Sequence, residues 1–121
     1  MFVTSQGSAY GRLRKALDRR NLTQALSAAA EVPHVGLGDA LELCLLLLDQ
    51  APAKYARAVL RWHARYCGEV RGVGLEEAQA VLALLALLNS AQHQLAAHAL
   101  ADLLECRQLG QSSEALMKWA G

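Results

Sequence analysis

An all-α fold is predicted for this chain, either as stacked antiparallel helical hairpins in a short solenoid-like array or as a compact bundle of six to seven helices. Three observations predict it. Leu and Ala supply most of an apolar content of 54%, and both are strong helix formers, while aromatic residues make up only 5%. Helix breakers and β formers are sparse: proline occurs only at positions 33 and 52, and β-branched residues are few. Residues 35–48 (VGLGDALELCLLLL) recur in outline at 73–86 (VGLEEAQAVLALLA), an offset of 38, with six identities in fourteen positions and an acid, Asp39 or Glu77, at the same place. A period of that length fits a two-helix unit. The 121 residues are read as one domain large enough to bury a core, with residues 1–7 disordered.

Each helix follows from local signals. The first is expected over Ser8–Arg19, with Leu13 and Leu17 on its apolar face. Asn21 reads as an N-cap with Gln24 three residues on, opening a second helix over Leu22–Glu31 that Pro33 ends. The third starts near Leu37–Asp39, runs to about Asp49 and is apolar almost all round, so it should be central. Pro52 suits the first turn of a fourth, Pro52–Val70. After Gly72–Gly74 a fifth covers Leu75–Leu88, with Glu76 and Glu77 at its positive end. It has so few polar positions that it is either sandwiched in the core or offers an oligomer contact, and sandwiching is favoured. A sixth is expected over about Ala91–Gln108, capped by Gly110, and a last short one from Ser112 or Ser113 to Trp119. Pairing runs one with two, three with four, five with six. In general plan the array resembles α-solenoid repeats of the HEAT or TPR kind, although the TPR consensus is absent.

Charge is unevenly distributed. Residues 1–71 carry ten of the twelve Lys/Arg and six of the eleven Asp/Glu, for +4; residues 72–121 carry the rest, for −3. Such polarity can steer a charged partner or favour self-contact. The three cysteines, 44, 67 and 106, form no C-x-x-C pair and fit reduced thiols, which with the absence of a signal-like start leads to the expectation of a cytoplasmic protein. The longest apolar run, Ala80–Leu88, is too short to span a bilayer, so no membrane role is expected.

The fourth helix is the most distinctive segment. Tyr55, Val59, Trp62 and Tyr66 fall on one helical stripe, and Arg57, Arg61 and Arg65 on a second one beside it. The stripe of aromatics packs a core or, together with the arginines, forms a partner surface, Trp and Arg being frequent anchors of interfaces. Tyr55, Arg57, Arg61, Trp62, Arg65 and Tyr66 are therefore the expected partner-binding residues, the partner being another protein or a second copy.

His63 and Cys67, one turn apart, could begin a zinc site or a Cys–His nucleophile, but no further ligand pair or orienting group accompanies them, so no metal and no cofactor is expected. His93 and His98 are five apart and point different ways. Gly72 and Gly74 lack the Lys-Ser/Thr of a phosphate loop, and no paired carboxylates suggest acid–base chemistry, so the chain is not read as an enzyme. The stretch Arg12–Glu42, with LTQ at 22–24 and an Ala-rich helix, resembles the helix-turn-helix of small repressor-type proteins. That resemblance implies nucleic-acid contacts through Arg12, Arg14, Lys15, Arg19 and Arg20. The would-be recognition helix has carboxylates Asp39 and Glu42 and no Arg, Lys, Asn or Gln for base edges, which argues against the role. The expected function is a non-catalytic interaction or adaptor module of helical-repeat type, with a small nucleic-acid-binding regulator as the alternative.

Overall fold

A computed structural model describes residues 5–121, with side chains from Ser8 onward. Among them are seven α-helices: α1 (Ser5–Asp18), α2 (Leu22–Glu31), α3 (Leu37–Gln50), α4 (Tyr55–Glu69), α5 (Leu75–Leu87), α6 (His93–Cys106) and α7 (Gly110–Ala120), with a 3₁₀ turn over Pro52–Lys54 leading into α4. The segment expected to be loose over residues 1–7 ends earlier, because α1 begins at Ser5; residues 1–4 lie outside the described part.

Two turns are built alike. At the end of α1, Arg20 takes a left-handed conformation (φ 56°), and the amide of Asn21 reaches back to the carbonyl of Ala16. At the end of α6, Gln108 does the same (φ 61°), and the amide of Leu109 reaches the carbonyl of Leu104. This is the Schellman closure of a helix, here with a non-glycine residue at the left-handed position. It corrects the expected role of Gly110. With Gln108 turning the chain, Gly110 is free to open α7, which starts two residues before Ser112. The Asn21 cap is as expected: its side-chain oxygen accepts from the Gln24 amide at 3.1 Å.

The hairpins α1–α2, α3–α4 and α5–α6 all form, but the array closes on itself. α3 packs on α4, α4 on α5, α5 on α6, α6 on α7, and α7 returns to α3. The arrangement is the compact bundle. Five helices surround one core of Leu41, Leu45, Tyr55, Trp62, Tyr66, Val81, Leu85, Leu100, Leu104 and Leu116 with smaller neighbours. The hairpin of α1 and α2 docks on α3 and shares a second core of Leu13, Leu17, Ala25, Val32 and Leu46. α3 is thus buried from both sides, and its leucines 45 to 48 are all buried, as their near-continuous apolar run demands.

α5 is not sandwiched. Only Val81 and Leu85 of the helix are buried, and Leu75 is 75% exposed. In a closed ring each helix buries only the side that faces the axis, so the outer leucine and alanine positions of α5 remain outside together with Glu76 and Gln79.

Candidate interaction surface

The first turn of α3 and the body of α4 fix the aromatic stripe. Trp62 donates its indole N–H to the Leu37 carbonyl at 2.9 Å and stacks on Tyr66 with ring centroids 5.4 Å apart. Tyr55 donates its hydroxyl to the Leu85 carbonyl at 2.7 Å. Tyr66 donates to the Glu77 carboxylate at 2.6 Å, which Arg107 also grips. All three aromatic residues are buried, so they hold α4 to α3 and α5 and cannot anchor a partner. This corrects half of the predicted surface: the stripe was readable, but its side was set by the polar tips, each of which finds an acceptor on α3 or α5. Burial raises the hydroxyl pKa of both tyrosines, helped by Cys44 at Tyr55 and by the Glu77 carboxylate at Tyr66.

The arginine stripe faces outward. Arg57 and Arg61 are exposed and make no ion pair among the described residues. Arg65 differs: half-buried, it holds Glu69 one turn on at 2.7 Å, and that hydrogen bond lowers the Glu69 carboxyl below its usual range. Between Arg57 and Arg61 stands Leu60, 55% exposed. Sequence patterning missed it, because a leucine inside an amphipathic helix is ordinarily assigned to the core. Beside α4 lies the outward side of α5, with Leu75, Ala80, Ala83, Ala86 and Leu87 exposed together with Glu76 and Gln79. Leu60 and the apolar side chains of this face lie beside the two guanidinium groups that make no ion pair among the described residues.

The basic residues of the first helix are largely matched within the molecule. Arg14 joins Asp18, Asp39 and Glu42 at 2.9, 2.7 and 2.7 Å, and its pKa is raised chiefly by the Glu42 hydrogen bond. Arg12 pairs with Glu31, and Arg20 with Asp49 at 2.7 Å. Lys15 and Arg19 have no ion-pair partner among the described residues and line, with Arg12, Gln24 and Ser27, a shallow groove of about 340 Å³ between α1 and α2. The supposed recognition helix is α3, and its Asp39 is buried beneath Arg14. It cannot enter a groove of DNA while it forms the centre of two cores.

His63 and Cys67 do meet, Sγ to Nε2 at 3.7 Å, yet the same nitrogen lies 2.7 Å from the Ala78 carbonyl. A carbonyl only accepts, so Nε2 carries the proton and donates. It then has no lone pair for a metal or for activating the thiol. Among the described residues no three His, Cys, Asp or Glu side chains are placed to hold a metal ion. Cys44 is buried and its thiol is pushed up to about 12 by desolvation. His93 packs edge-on against Trp119, and His98 points to solvent. Among the described residues no helix is long and apolar enough to cross a membrane. No family model matches the chain, and no curated protein or solved structure shows detectable similarity to it.

Proposed function

We propose that this chain is a non-catalytic interaction module that binds another protein chain through the outward faces of α4 and α5. The observation that carries the reading is the placement of Arg57 and Arg61, exposed and unpaired among the described residues, beside exposed Leu60 on α4, with further exposed apolar side chains on neighbouring α5. Apolar contact edged by arginine is the usual make-up of an interface centre and its rim. An acidic, amphipathic partner surface fits it: leucine and alanine positions accept apolar side chains, and the guanidinium groups accept carboxylates. A nucleic-acid role is less well supported, because Lys15 and Arg19 alone would neutralise too few phosphates for appreciable affinity.

A photoreactive residue placed at position 60 tests the reading. In extracts of the native cell it should yield a discrete adduct that Arg57→Ala and Arg61→Ala together abolish, while thermal stability stays unchanged. Arg65→Ala should leave the adduct largely intact, since that side chain is engaged with Glu69. An adduct indifferent to Arg57 and Arg61 would remove this surface from consideration.

A further inference from the structure

Three successive helices carry exposed apolar side chains on their outward faces, interspersed with polar ones. α5 packs between α4 and α6. Leu60 stands on α4, Leu75, Ala80, Ala83, Ala86 and Leu87 on α5 with Glu76 and Gln79 among them, and Leu95, 73% exposed, on α6. Exposed apolar side chains gathered on neighbouring helices of a small domain mark an association surface.

The two margins of the row carry opposite charge. On α4 they are Arg57 and Arg61; on α6 they are Asp102 and Glu105. All four are exposed, and none enters an ion pair among the described residues. Their heights agree. The Tyr55–Leu85 and His63–Ala78 hydrogen bonds set α4 antiparallel to α5, and the Arg107–Glu77 pair sets α6 antiparallel to α5. Counted through α5, the two arginines stand within about one helical turn of the heights of Asp102 and Glu105.

This arrangement selects a symmetry. A two-fold axis parallel to α5 and just outside it preserves height along the helices and exchanges the two margins. α5 then lies on its own copy, and the arginine margin of each chain lies over the carboxylate margin of the other. A two-fold axis perpendicular to α5 would instead set arginines over arginines. Resting on the reading of this face as an interaction surface, we infer that its occupant is a second copy of this chain, in an isologous dimer centred on α5, with Arg57 and Arg61 facing Asp102 and Glu105 of the other copy. Self-complementarity of one patch is what a two-fold dimer requires, and the opposed margins fix its register.

Sedimentation velocity on the purified full chain, from micromolar to submillimolar concentration at low salt, tests the inference. The native chain should dimerise. Arg57→Glu with Arg61→Glu, and separately Asp102→Lys with Glu105→Lys, should each weaken dimerisation by about a hundredfold or more, because like charges then face each other. All four positions are exposed, so helicity and melting temperature should hold. An equimolar mixture of the two variants should dimerise again, since every margin then meets its opposite. A native chain that stays monomeric at every concentration, or a mixture that stays monomeric where the native chain dimerises, overturns the inference. If the monomeric chain nonetheless gives an Arg57- and Arg61-dependent adduct from position 60 with a foreign protein, the dimer falls while the interaction surface stands. If it gives none, both fall.

Discussion

The indole nitrogen of Trp62 donates to the carbonyl oxygen of Leu37 across 2.9 Å, joining the middle of α4 to the first turn of α3. Trp62 is the largest of the fully buried side chains among the described residues. Trp62→Phe removes the donor, leaves the Leu37 carbonyl with its helical partner alone and leaves space beside Tyr66. The expected cost is about 2 kcal/mol, and for Trp62→Ala about 3–5 kcal/mol. Urea denaturation followed by circular dichroism checks both. A Trp62→Phe midpoint equal to the native one would mean that the contact with α3 contributes nothing. Loss of partner capture in this variant, if it occurs, should track loss of fold.

How far the sequence reveals this molecule can be judged at three places. The start of α3, expected near Leu37–Asp39, falls at Leu37, and the Val-Gly-Leu echo opens α5 in the same way: Gly36 and Gly74 are the N-caps and Leu37 and Leu75 the first helical residues. The echo even preserves a role, since Asp39 receives Arg14 and Glu77 receives Arg107. Beyond that the two helices part. Leu45 is buried and Leu87 looks outward, although both stand in leucine-rich runs, because the α1–α2 hairpin and α7 both pack on α3 whereas only α4 and α6 flank α5. Periodicity reports that a helix has an apolar side; it does not report how many neighbours will cover it. Likewise the aromatic and arginine stripes of α4 were visible as stripes, but acceptors on Leu37, Leu85 and Glu77, far away in sequence, chose the inward one.

The left-handed turn at Gln108 offers a stabilising change. Its side chain is exposed and makes no hydrogen bond among the described residues, so only the backbone matters there. A non-glycine residue in this conformation costs roughly 1 kcal/mol, which glycine avoids. Gln108→Gly should therefore raise stability by up to about 1 kcal/mol, partly offset by the greater freedom of glycine in the unfolded chain. Differential scanning calorimetry should show a melting temperature higher by a few degrees, while Gln108→Ala should show none of this gain. An unchanged or lower value for the glycine variant would mean that the turn is already relaxed.

Acid sensitivity should centre on Glu77. Its carboxyl lies below the usual range, first because Arg107 donates to it and second because the Tyr66 hydroxyl does. A group with a depressed native pKa stabilises fully above the unfolded value, about 4.3, and loses that contribution as the pH falls through the native one. Because the pair is part-exposed, solvent screening keeps the effect below about 1 kcal/mol. Denaturation midpoints measured from neutral pH down to the acid limb should show native protein and Glu77→Gln converging as pH falls. A gap that stays constant into acid would show that the carboxylate charge is not what Arg107 and Tyr66 recognise.

Gly38 and Gln111 make the sharpest test of how α7 seats on α3. A methyl group added at Gly38 would lie 2.4 Å from the Gln111 side-chain oxygen and 2.5 Å from its Cδ. That side chain cannot swing away freely, because its amide nitrogen donates to Asp39 and Glu42, at 2.9 Å each. Gly38→Ala should thus break two charge-assisted hydrogen bonds, worth about 1.5–3 kcal/mol, against a helix-propensity gain of about 0.8–1.0 kcal/mol at most. The single variant should be destabilised by about 1 kcal/mol. In a Gln111→Ala background the obstruction and the bonds are already gone, so the same Gly38→Ala change should become neutral or stabilising. A double-mutant cycle by urea denaturation reads the sign directly. If Gly38→Ala costs the same in both backgrounds, Gln111 yields without penalty, and the polar bridge from α7 onto Asp39 and Glu42 contributes nothing to closing the ring.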